Sequence, residues 1–132
     1  MGHETSKLAE VSWDCVHFRE SSSLRELPDL RVAGFKIFEV DMDEISTKEQ
    51  LLASVADAMC FPDYFGRNWD ALEECLRDME WSPASGYVLI VRNAESLWRR
   101  IPRVAAGLLQ SWTFSAEEWS REGVPFHLVF AW

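Results

Sequence analysis

"YVLIV", Tyr87 to Val91, is an unbroken apolar run, with no polar residue alternating through it. A strand that faces water on one side alternates, so this run suits a strand covered on both faces. Upstream, "FKIFEVD", Phe35 to Asp41, is rich in aromatic and β-branched residues and reads as a second strand. Downstream, "PFHLVFAW", Pro125 to Trp132, reads as another buried strand. Helical patterns lie between successive runs. Strands joined through helices pair in parallel by right-handed crossovers. The expected fold is therefore α/β: a three-stranded parallel sheet packed with about four helices, in a domain spanning 34–132.

The intervening helices follow from periodicity. "STKEQLLASVADAM" begins with Ser46 and has Glu49 three residues later, a capping-box pattern. Leu51, Leu52, Val55, Ala58 and Met59 fall on one helical face, and Pro62 is the expected stop. Asn68 is a suitable N-cap for the next helix, in which Trp69, Leu72, Leu76 and Met79 form one buried stripe. Pro102 suits the first turn of a further helix. Ile101, Val104, Ala105, Leu108, Leu109, Trp112, Ala116 and Trp119 keep one phase up to Gly123. A break at Thr113 to Ser115 is the alternative, since Ser115 and Glu118 match a second capping box.

Residues 1–33 read as an N-terminal extension, partly flexible. The first ten are polar. "WDCVHF", Trp13 to Phe18, is too short to separate strand from helix. "RESSSLRELPDL" reads as a connector. Gly34 to Trp132 is expected to fold without the first 20 residues.

Composition excludes several classes of function. The chain has 132 residues, 48% of them hydrophobic, enough for one packed core. A net charge of −9 argues against nucleic acid and against anionic membranes. The acidity serves either solubility alone or attraction to a basic partner. Three cysteines, Cys15, Cys60 and Cys75, fit no zinc spacing and leave an odd thiol. With no signal-like or membrane-spanning run, a reduced cytoplasmic protein without disulfides is expected.

No glycine-rich phosphate loop, GxSxG or HExxH is present. Asp70 with Glu74, or Glu117 with Glu118, could be drawn as acid–base pairs, but helical carboxylates at such spacing are usually a solvated face. Cys75 reads as a structural thiol and His127 as a core or edge histidine. The chain is expected not to be an enzyme and to use neither metal nor cofactor.

One stretch remains to be explained: "FPDYFGRNWDALEECL", Phe61 to Leu76. With Trp69, Leu72 and Leu76 inward, the opposite helix face shows Asp70, Glu73, Glu74 and Arg77. Asp70 also suits the helix dipole, and the Glu73–Arg77 spacing adds local support. In the preceding loop, Phe61 or Phe65 can plug the core and Gly66 can supply the turn. A tyrosine beside acidic residues has the make-up of an interface anchor.

"PDYFGRNWDALEECL" resembles the signature loop and second helix of the barstar family, intracellular inhibitors of a secreted ribonuclease. The resemblance extends over "FKIFEVD", the Ser46 helix, "GYVLIV" and "EEWSREGVPFHLVF", from about Phe35 to Trp132. It implies a barstar-like fold. It also implies a function: the loop and acidic helix occupy the ribonuclease site, with carboxylates in place of RNA phosphates. Tyr64 falls at the tyrosine that packs on the enzyme's catalytic histidine. Gly66 and Asn68 match the loop glycine and asparagine. Asp70 matches an interface aspartate, Glu74 the aspartate inserted into the phosphate site, and Glu118 a peripheral glutamate.

Three positions depart from the family pattern. Glu74 is one methylene longer than aspartate, Glu73 replaces an interface tryptophan, and Arg67 replaces an acidic residue. The implied partner is therefore a basic ribonuclease other than the best-known one, or another basic protein. An antitoxin or immunity role in the cytoplasm follows from the same resemblance. The alternative is an interaction or regulatory module that keeps the fold without a ribonuclease partner.

Overall fold

A computed structural model describes residues 7–12, 14–62 and 66–132. In chain order its elements are β1 (Val16–Arg19), α1 (Leu27–Val32), β2 (Phe35–Asp41), α2 (Lys48–Ala58), α3 (Trp69–Asp78), β3 (Gly86–Arg92), α4 (Ala94–Arg100), α5 (Pro102–Arg121) and β4 (Phe126–Ala131). Short 3-10 turns lie at Lys7–Ala9 and Ser21–Ser23.

The sheet has four strands in the order β1-β4-β3-β2, every pair parallel, rather than the expected three. The additional strand is β1, which pairs Val16 to Leu128 through Arg19 to Ala131 at one edge. Four residues carry too little periodicity to declare a strand. The long-range ladder with β4 decides it, and Leu128 N–H donates to Cys15 O at 2.8 Å just before β1.

Five α-helices are present among the described residues, rather than about four. The serine-rich connector contains α1, with Pro28 in its first turn. The seven residues of α4 run directly into Pro102 of α5, so two helices share a junction at Ile101. Thr47, not Ser46, caps α2, its hydroxyl accepting from Gln50 N–H at 3.1 Å. Gln50 Oε1 takes Ser46 N–H at 2.8 Å, so the reciprocal pair forms one residue later than Ser46 and Glu49 suggested.

α5 is unbroken through Thr113 to Ser115. The hydroxyls of Thr113 and Ser115 donate to the carbonyls of Leu109 and Ser111, at 2.9 Å each. They bond back along the helix instead of capping a new one. Gly123, at φ +74, ends it: its N–H reaches Ser120 O and Val124 N–H reaches Trp119 O.

The run that decided the fold is covered on both faces. Tyr87, Leu89 and Val91 join a core built with α2, α3, α4 and α5. Val88 and Ile90 point the other way, where Leu8, Leu24, Leu27 and Leu30 cover them together with Val129 and Ala131. Residues 7–33 therefore supply the second face, and Leu8 within the polar start is 1% exposed.

A histidine pair marks the seam where that segment meets β4. His127 is buried, and its Nε2 lies 2.7 Å from Glu10 O. A carbonyl only accepts, so Nε2 carries the proton and Nδ1 is left as an acceptor. His17 Nε2, 2.8 Å from that Nδ1, is then the donor. Burial, followed by the neighbouring His127, pushes the pKa of His17 down to about 4. Burial lowers that of His127 as well.

Candidate partner-binding face

The candidate face is built on α3. Asn68 caps it from an extended conformation, accepting Ala71 N–H on Oδ1 at 2.8 Å. Its amide Nδ2 donates to Gly66 O at 3.3 Å, tying the end of the loop to the helix start. Asn68 and Gly66 thus set the entry geometry. Tyr64 lies outside the described residues.

Arg67, at φ +53, takes the left-handed conformation just before the cap. A Cβ on Gly66 would meet its nearest atom, Asn68 Nδ2, at 3.4 Å. The backbone strain lies at the arginine.

Leu72, Cys75 and Leu76 are buried, and Trp69 is half-buried against α5. Gly107 of α5 makes room for that indole: a Cβ there would stand 2.5 Å from Trp69 Cζ2. Further contacts follow along both helices. Ser111 Oγ donates to Glu73 Oε2 at 3.0 Å, and the Arg77 guanidinium lies 5.3 Å from the Phe114 ring centre. Residues 69, 73 and 77 meet 107, 111 and 114 in the same order, so α3 and α5 run parallel. Trp119 Nε1–H donates to Leu76 O at 2.7 Å beyond this seam.

These contacts sort the acidic residues. Asp70 and Glu74 are exposed one turn apart and share the outward side with Arg77. Glu73 does not join them: it is half-buried and its carboxylate is bonded by Ser111. The sequence grouped it with the outer face because position along a helix does not show where a neighbouring helix packs. Glu118 is exposed on α5, one turn past Phe114, and pairs with Arg121 at 3.3 Å.

Cys75 is buried, and its thiol is pushed up to about 11, first by burial and then by Asp78 and Glu74. It stays protonated at neutral pH, so it offers no thiolate nucleophile. Among the described residues, no group of three or more His, Cys, Asp and Glu side chains could hold a metal ion. None of their helices is long and apolar enough to cross a membrane.

The sequence reading missed two features of the site. One is Gly107, whose place inside the apolar phase of α5 signals close packing. Phe114, 48% exposed, fell outside the apolar stripe of α5 and so went unread.

The family model described as Barstar (barnase inhibitor) matches residues 35–131, which takes in β2 through β4 and the whole α3 face. No curated protein matches the chain.

Proposed function

Because the chain belongs to the barstar family, we propose that it binds a basic ribonuclease and occludes its active site with α3 and the preceding loop. The observation that carries this reading is the pair Asp70 and Glu74, both exposed on a helix whose opposite side is buried. A ribonuclease site is basic because it must hold phosphate. Carboxylates on a rigid helix occupy such a site without offering a bond to cleave. With a net charge of −9, the chain also attracts a basic enzyme at long range and speeds capture.

In this reading Asp70 and Glu74 take the phosphate positions. Tyr64 supplies a ring from the loop, Gly66 and Asn68 set the loop's approach, and Glu118 contributes at the rim. Glu73 has a supporting part, since its carboxylate is held by Ser111. The setting is the cytoplasm, where such a protein acts as an antitoxin against a toxic ribonuclease.

The experiment is titration of a panel of small basic ribonucleases, read by cleavage of a fluorogenic RNA. Stoichiometric inhibition that weakens with salt is expected for at least one enzyme. Glu74→Ala should cost about 2 kcal/mol or more in binding, while a surface change of this kind shifts stability by only about 0.5 kcal/mol. Failure to bind any member would leave the module without a ribonuclease partner as the better reading. Equal binding by Glu74→Ala, Asp70→Ala and wild type would mean that another face is used.

A further inference from the structure

Phe114 and Arg77 form a pair that the carboxylate reading does not use. Phe114 is 48% exposed on α5, which leaves about half of its apolar surface in water. Arg77 lies over its ring, 5.3 Å from the centre. Arg77 Nε donates to Glu73 O at 3.2 Å within α3, which fixes the guanidinium from its own helix. Its terminal nitrogens enter no ion pair among the described residues.

The pair sits in the middle of the acidic face. Arg77 is one turn from Glu74 on α3, and Phe114 is one turn from Glu118 on α5. It also adjoins Glu73, the position at which the family resemblance expects an aromatic contact. Here Glu73 turns to Ser111, and the exposed ring comes from the neighbouring helix.

The geometry points to Phe114 and Arg77 as the specificity element of this face, selecting among basic ribonucleases. This rests on the ribonuclease reading above. The selected enzyme presents cations to Asp70 and Glu74. Beside them it presents an apolar side chain against Phe114 and a carboxylate to the free edge of Arg77. A ribonuclease whose rim is basic throughout meets Arg77 as a like charge and is disfavoured. Ring and guanidinium are already mutually packed, so little side-chain freedom remains to be lost on binding.

The test measures inhibition constants of wild type, Phe114→Ala, Phe114→Leu, Arg77→Ala and Arg77→Glu against the same panel. Melting curves fix a temperature at which every variant is folded. For the best-inhibited enzyme, Phe114→Ala is expected to weaken inhibition about 30-fold, the equivalent of a hot spot of about 2 kcal/mol. Phe114→Leu should fall between Phe114→Ala and wild type. Arg77→Glu should reorder the panel in favour of enzymes with all-basic rims. If wild type inhibits enzymes that Phe114→Ala and the two Arg77 variants inhibit equally well and in the same order, the inference is overturned while the inhibitor reading stands. If wild type inhibits none, both fall.

Discussion

One face of the sheet is covered by α2, α3, α4 and α5, the other by a single turn at Lys7–Ala9, Leu24 and the six-residue α1. On the helical side, aromatic rings stack in depth: Trp112 on Phe126 with centroids 4.2 Å apart, and Trp119 on Phe126 at 5.7 Å. On the other side, four leucines spread between Leu8 and Leu30 suffice to cover Val88, Ile90, Val129 and Ala131. A helical stripe concentrates its apolar residues where a periodic reading finds them. A cover made of widely spaced anchors leaves the local composition polar, yet it buries the same strands.

Deleting residues 1–33 should have the largest effect. Burying a leucine is worth about 1.5–3 kcal/mol, so four contribute about 6–12 kcal/mol. That rivals a whole domain's stability of about 5–15 kcal/mol. Circular dichroism should show loss of cooperative melting, accompanied by dye binding to the exposed sheet. A truncated chain that melts like the full one would mean that the family core closes without its cover.

The helical face is probed by Gly107→Ala. In an open helix this change gains about 1 kcal/mol from propensity. Here the new Cβ would stand 2.5 Å from Trp69, and overpacking of this sort costs about 1–3 kcal/mol. Urea denaturation should therefore show a net loss of stability. A gain would mean that Trp69 moves aside freely and that the parallel seam of α3 and α5 is loosely held.

The smallest expected effect belongs to the histidine seam. His17 has a folded pKa of about 4, below the usual 6.5, so the unfolded chain binds the extra proton first as pH falls. Stability should thus decline from near pH 6.5 down towards pH 4 and recover as pH rises. Asp14 opposes the shift, while Arg19 and Lys7 reinforce it. Because the ring is partly open to solvent, the contribution is about 1 kcal/mol. Melts across this range should show a shallower slope for His17→Gln than for wild type. Equal slopes would place the acid sensitivity outside His17, with the buried His127 the first candidate.

The sequence displayed β2, β3 and β4 through runs of apolar, aromatic and β-branched residues, and α2, α3 and α5 through helical periods of ten residues or more. β1, α1 and α4 span four, six and seven residues, and tertiary contacts rather than local pattern define them. At the candidate face, Asp70 and Glu74 were readable from the inward stripe of α3. The inward turn of Glu73 was not, because it depends on Ser111, 38 residues away. Likewise, the left-handed conformation of Arg67 has no signature in an arginine. The ring of Phe114 acquires its setting only when α3 and α5 are laid side by side.

The parallel pairing of β1 with β4 bears on how the molecule carries load. The chain enters β1 at Val16, opposite Leu128, and leaves β4 after Ala131, opposite Arg19. A pull applied at the two ends of the chain therefore draws these neighbouring strands past each other along their length. Their backbone bonds are strained together in shear, not opened singly from one end. Two strands that lie side by side in this way meet traction applied at Val16 and Ala131 with their whole ladder at once.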